Sequence, residues 1–184
     1  MDSIIEVVRC FENENIIHVD GVINPLNDIE IIELELIYAD LETVMKRRER
    51  VKKQLKADKS AAKEDLILER IEQTLNEGKG ARSIEFTTEE KEIIKSLHLL
   101  TLKPLMYVAN VDEETIQNVD ENENFKKVKK YAESQNAKVI PICVKLEEEI
   151  SELESEEEKK EFLEMMWADK SGLDKLIIAS YDIL

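Results

Sequence analysis

The sequence predicts an α/β protein: a parallel sheet with flanking helices, interrupted by an inserted antiparallel α-helical coiled-coil hairpin. Three observations carry this. Short runs at 4–11, 105–109 and 138–143 are rich in β-branched residues and apolar on both sides of the alternation, as strands buried on two faces are. Helical stretches follow the second and third runs, which is the alternation of an α/β domain. Between the first and second runs lies a long segment whose apolar residues recur at the spacing of paired helices.

The first strand is IIEVVRCF at 4–11. A helix is then expected from a cap at Asn27 or Asp28 to about Ala57. Leu34, Ile37, Leu41, Val44, Arg48, Val51 and Leu55 follow a 3-4 spacing broken only by Arg48, which reads as a heptad seam. Lys56-Ala57-Asp58-Lys59-Ser60 is a polar turn. Leu68, Ile71 and Leu75 return the seam until Asn76-Glu77-Gly78 stops the second helix. Thr87 with Glu90 forms a capping box for a helix over about 88–97. The second strand, LMYVA at 105–109, is entered through Lys103-Pro104, and a helix over about 121–135 leads to the third strand, where Pro141 argues for an end or an irregular ladder. Three further helices follow: Leu146–Leu153, Ser155–Met166 with a Ser155/Glu158 capping box, and Leu173–Leu184. The expected division is residues 1–24 with 88–184 as the α/β part and 25–87 as the inserted hairpin.

Composition narrows the function classes. The chain has 184 residues, 26 Lys and Arg against 42 Asp and Glu, a net charge of −16 and 42% apolar residues, so it can bury a core. No apolar run approaches the ~20 residues a bilayer needs, and the start MDSIIEVVRC has no signal-peptide pattern. Cys10 and Cys143 sit in apolar runs without CxxC spacing and read as reduced core residues of a cytoplasmic protein. The glycines (Gly21, Gly78, Gly80 and Gly172) form neither a phosphate-cradling P-loop nor a GxGxxG turn. Asp169-Lys170-Ser171-Gly172 spells DxxG, a nucleotide-switch pattern, but Ser171 followed by Asp174 reads as a helix cap. His18 and His98 lack neighbours at ligand spacing, no Ser/His/Asp or Cys/His set is suggested, and the acidic run Glu147–Glu161 reads as a solvated face. No catalytic residue, metal-ligand set or sequence-specific DNA reader is assigned.

Charge is uneven. Residues 46–63 carry nine basic residues and two acids, for a net +7 on a chain of −16. A basic tip on an acidic body meets phosphates at the tip while the body is repelled. Arg47, Arg48, Arg50, Lys52, Lys53, Lys56 and Lys59 are therefore candidate contacts for RNA or a protein partner; ordinary solvation of an exposed helix is the plainer reading.

Three phrases, VVRCFENENIIHVDGVINPLNDIEIIELELIYADLE, LLTLKPLMYVANVDEE and SGLDKLIIASYDIL, closely resemble the YchF-type Obg-like ATPases, and the resemblance covers essentially the whole chain. It implies part of a P-loop G domain with an inserted helical hairpin, in a family of ribosome- and RNA-associated ATPases and GTPases using ATP or GTP with Mg²⁺. Against the family pattern, the first residues match a middle strand of the G domain. The P-loop, switches and metal-binding Ser/Thr would lie upstream and the small β-grasp domain beyond Leu184, so a fragment is expected.

One nucleotide element remains in that comparison. Asn110-Val111-Asp112-Glu113 follows a strand where G proteins carry Asn-Lys-x-Asp. In that motif an Asp carboxylate accepts from guanine N1–H and the exocyclic amine, while the Lys stem covers the ring. Here Val111 replaces the Lys and Glu113, one methylene longer, replaces the Asp, so guanine preference is expected to be lost or inverted. Val111 is expected near the purine. The second base element reads Cys143-Val144-Lys145, with the Val144 N–H and the Lys145 stem toward the base. The expected base-binding set is thus Asn110, Val111, Glu113, Val144 and Lys145. Lacking phosphate contacts, the chain alone is expected to bind nucleotide loosely and not to hydrolyse it. Two alternatives stand beside this: a non-enzymatic module that binds RNA or a protein partner through the hairpin, and a remnant with bare sheet edges.

Overall fold

Leu105–Asn110 forms β2, the central strand of a three-stranded parallel sheet in order β1-β2-β3, with β1 at Ile4–Arg9 and β3 at Lys138–Ile142. Ile4 pairs with Leu105 and Arg9 with Asn110; Met106 pairs with Lys138 and Asn110 with Ile142. The computed structural model describes residues 2–12, 23–55, 61–166 and 170–183. His18, Lys56, Lys59, Trp167 and the expected turn at 56–60 lie outside them. The chain divides into two compact units: Met1–Ile29 with Pro104–Leu184, and Glu30–Lys103.

In the first unit every residue of β2 before Asn110 is buried, as expected of a parallel strand covered on both faces. Leu105, Tyr107, Ala109 and Val111 share one core with Val8, Cys10 and Ile29 and with Phe125, Val128 and Ala132 of α4, Glu123–Ser134. Met106 and Val108 face the other way, onto Ile140, Ile142 and Ala179 of α7, Gly172–Ile183. Pro141 lies inside β3, opposite Ala109, rather than at the strand's end; β3 is an edge of the described sheet, where a missing N–H is tolerated. Between β3 and α7 lie α5, Val144–Glu152, and α6, Glu156–Met165, whose Ser155/Glu158 capping box is formed.

The second unit holds most of α1, Pro25–Gln54, then α2, Ala62–Asn76, and α3, Thr88–Ile94. α1 starts earlier than the expected Asn27/Asp28 cap. Pro25 takes the first helical position, and the Asn24 side chain accepts from the Asn27 N–H at 3.4 Å. Ile37, Val44 and Val51 of α1 pack with Ile67, Leu68, Ile71 and Leu75 of α2, and Ala81, Ile94 and Leu99 complete the core. Leu34, placed in the seam by its spacing, is instead exposed, whereas the polar Asp40 is buried. Its carboxylate accepts from the Leu100 N–H, the Thr101 N–H and the Thr101 hydroxyl, each at 2.7 Å. Thr101 Oγ1 in turn accepts from the Ala81 N–H at 2.8 Å. This network binds residues 81–101 to α1, so the unit runs to Lys103, beyond the expected boundary at 87.

Arg48 interrupts the apolar seam for an electrostatic reason. It donates to Asp65 at 3.2 Å, to Glu72 at 2.7 Å and to Glu69, all on α2. Arg47 donates to Glu64 at 2.6 Å. Beyond the end of α2, Gly78 takes a φ of +73°, which lets the Lys79 N–H reach the Thr74 carbonyl and stops the helix. The Thr87/Glu90 capping box of α3 is present. Among the described residues no helix is long and apolar enough to cross a membrane.

Candidate base-reading site

Parallel pairing puts the C-terminal ends of β2 and β3 side by side, so the two chain segments leaving them emerge at one edge of the sheet. The first bend begins at Asn110 and the second at Cys143. Two bonds join them, and a third ties the first bend to the last residue of β3. The Val111 N–H donates to the Ile142 carbonyl at 2.9 Å. The Val144 N–H donates to Asn110 Oδ1 at 3.3 Å. Lys145 Nζ lies 2.9 Å from Glu113 Oε2.

Each bend is also fixed from within. Asp112 Oδ1 accepts from the Thr115 N–H at 2.7 Å, an Asx turn that curls the first bend. The Cys10 N–H donates to the Asn110 carbonyl at 2.8 Å, extending the β1–β2 ladder by one rung. Asn122 Oδ1 caps α4 at the Phe125 N–H (2.8 Å), while its Nδ2 donates to the Cys10 carbonyl at 3.4 Å. Glu147 fixes the second bend from behind. Its carboxylate accepts from the Gly172 N–H at 2.6 Å and the Leu173 N–H at 3.1 Å, at the positive end of α7. A Cβ on Gly172 would stand 2.9 Å from Glu147 Oε1 and 3.1 Å from two side-chain carbons of Ile142, which is why glycine occupies that position.

The electrostatics separate an open pair from two closed thiols. The hydrogen bond to Glu113 raises the Lys145 pKa, but both groups are largely solvated and salt screens them. Burial, reinforced by Asp28, pushes the Cys10 thiol up to about 12, and burial also raises Cys143. Both thiols are therefore protonated at neutral pH and neither is a nucleophile.

The structure brings Asn110, Glu113, Val144 and Lys145 together, with Val144 50% exposed. Val111 does not join them with its side chain. It is 2% exposed and sits in the α4 core, because it continues the period-two face of Leu105, Tyr107 and Ala109 past the end of the strand. Only its backbone belongs to the bend. Glu147, expected on a solvated acidic face, is the cap of α7 instead. Its partner N–H groups lie 25 and 26 residues away, so no local pattern announces the contact. A cavity of about 530 Å³ opens between Ile142, Cys143 and Leu146 on one side and Phe162, Leu163 and Met166 on the other. None of the five expected base-binding residues lines it.

The basic set of the hairpin divides. Arg47 and Arg48 are spent on α2 acids. Arg50, Lys52 and Lys53 are exposed. Among the described residues no three His, Cys, Asp or Glu side chains converge as metal ligands.

No protein-family model matches the chain. Among curated proteins, the ribosome-binding ATPase YchF of Bacillus subtilis (strain 168) is 50% identical over 185 residues, covering 100% of this chain and 50% of that protein. The ribosome-binding ATPase YchF of Escherichia coli O157:H7 is 41% identical over 184 residues, with the same coverage. Among solved structures, the Schizosaccharomyces pombe YchF GTPase superposes with a TM-score of 0.87 at 35% identity, again over 100% of this chain and 50% of that one. The chain spans about half the length of the curated relatives it matches. Along its whole length this chain is similar, in sequence and in backbone, to about half of the YchF proteins.

Proposed function

We propose that this chain is the base-reading part of a YchF-type nucleoside triphosphatase, working with ATP or GTP and Mg²⁺ beside the ribosome in the cytoplasm. The observation that carries the reading is the tie between the two bends. Asn110 Oδ1 receives the Val144 N–H, so the segments after two adjacent parallel strands form one surface at the strand ends, where α/β sheets bind their ligands. The names of the relatives supply the reaction class and the ribosome. Glu113 in place of the shorter Asp argues against tight guanine preference.

The 184 residues contain no glycine-rich phosphate loop, and phosphoryl transfer draws its catalysis from such phosphate and Mg²⁺ contacts. The chain alone therefore holds a nucleotide through its base and leaves it intact. Base contacts without phosphate contacts correspond to an affinity of about 1 mM, roughly −4 kcal/mol. The test is a ¹⁵N–¹H NMR titration of the 184-residue chain with AMP. Shifts should concentrate on Asn110, Glu113, Val144 and Lys145, and Asn110→Ala should weaken them. Saturation of the AMP range with those four amides unmoved would refute the assignment.

A second reading is favoured by one observation: Arg50, Lys52 and Lys53 stay exposed on α1 while their neighbours Arg47 and Arg48 are tied to α2. These three would meet the phosphates of RNA. Log affinity for ribosomal RNA should then fall steeply with log salt, and changing all three to Glu should abolish binding. Binding that survives the triple change removes the hairpin from the contact.

A further inference from the structure

The ion pair between Lys145 and Glu113 does more than join two bends. A carboxylate accepts side by side from two parallel donors. Guanine presents such a pair, N1–H and the 2-amino group, whereas adenine presents one donor, the 6-amino group, beside the acceptor N1. A free carboxylate at position 113, although its extra methylene displaces it from the place of the shorter Asp, would therefore still favour guanine over adenine, more weakly than an Asp does. In this structure it is not free: Lys145 Nζ donates to Glu113 Oε2 at 2.9 Å. The other side-chain acceptor bridging the bends, Asn110 Oδ1, is engaged by the Val144 N–H. Glu113 Oε2 and Asn110 Oδ1 are thus each engaged by a donor of the protein, and a carboxylate with one oxygen held cannot turn both toward a pair of donors.

We infer that Lys145 is a specificity-determining positioning residue: by holding Glu113 it withholds from guanine the carboxylate that would select it. The inference rests on the base-site reading above. Lys145 acts through Glu113, so its effect should vanish where position 113 carries no charge. It should survive replacement by another cation of similar reach, and it should weaken with salt, because the pair is open to solvent.

The experiment is a parallel NMR titration of the 184-residue chain with AMP and GMP, giving the ratio of the two affinities. Lys145→Ala should move the ratio toward GMP by about two- to fivefold, the range an exposed ion pair supports. Lys145→Arg should leave it in place. In a Glu113→Gln background, Lys145→Ala should no longer move it, which a purely structural role for Lys145 would not produce. In the unaltered chain, salt of about 1 M should move the ratio in the Lys145→Ala direction. An unchanged ratio in Lys145→Ala, or the same change with Gln at 113, overturns the inference while AMP binding keeps the base site. Failure of both nucleotides to shift Asn110 and Val144 in the unaltered chain removes the base site and the inference together.

Discussion

Asp40 offers the sharpest test of how the hairpin unit is held. It lies in the middle of α1, is 3% exposed, and takes three hydrogen bonds from Leu100 and Thr101. Asp40→Ala removes the acceptor and strands the Thr101 N–H, which is buried, while the half-buried Leu100 N–H regains some water. A buried donor left without a partner costs about 1–3 kcal/mol, and bonds to a charged acceptor lie at the upper end. The three losses share one site and are not additive, so the expected cost is about 3–5 kcal/mol. Asp40→Asn keeps one acceptor oxygen but aims an NH₂ at a donor, so it should lose more than half of that amount. Glu35→Ala, exposed on the same helix, should stay within about 0.5 kcal/mol. The chain has two compact units, so one global midpoint would mix them. Amide hydrogen exchange at Leu100 and Thr101, compared with amides in β2, reads the hairpin unit alone. A loss below about 1 kcal/mol, with Thr101 exchanging no faster, would refute the claim that Asp40 fastens residues 81–101 to α1.

Other expectations follow from the same contacts. Gly172→Ala drives a methyl against Ile142 and the Glu147 carboxylate; it should destabilise the sheet unit by about 1–3 kcal/mol and shift the Val144 amide, and a neutral effect on urea denaturation would show that the second bend gives way freely. Cys10 and Cys143 should resist DTNB at pH 8 in the folded chain and react on unfolding in urea; fast reaction of the native chain would contradict their burial. The Cys10 thiol has a folded pKa of about 12 against 9.0 when exposed, so the unfolded chain holds fewer protons in between. Stability should thus decline as pH rises from 9 toward 12, and more steeply than in Cys10→Ala; equal slopes in the two chains would refute the shift. The purified chain should release no phosphate from ATP or GTP above the level of an Asn110→Ala, Glu113→Ala double variant; turnover specific to the unaltered chain would overturn the proposed division of labour.

What the sequence revealed and what it concealed divide by the range of the forces involved. The strands were legible because burial on two faces leaves unbroken apolar runs such as LMYVA, and the boxes at Thr87/Glu90 and Ser155/Glu158 because a cap and its partner lie three residues apart. The heptad spacing located Ile37, Val44 and Val51 correctly but overreached to Leu34. It also passed over Asp40, whose polarity marks an outward position unless its partners, about 60 residues away, are known. Arg48 had the same ambiguity: a cation in an apolar seam is explained only by three acids on the returning helix. At the site, the two bends could be read from motifs that follow strands. Analogy with the lysine of the related motif puts Val111 at the ligand, whereas its own period-two spacing from Ala109 points into the core.

The central claim is that Asn110–Glu113 and Cys143–Lys145 form one purine-binding surface. The most direct measurement is a set of intermolecular NOEs between AMP and the chain. Cross-peaks from adenine H2 or H8 to both the Val144 methyls and the Asn110 side-chain amide are predicted. Adenine contacts confined to other parts of the chain, or to one bend without the other, would contradict it.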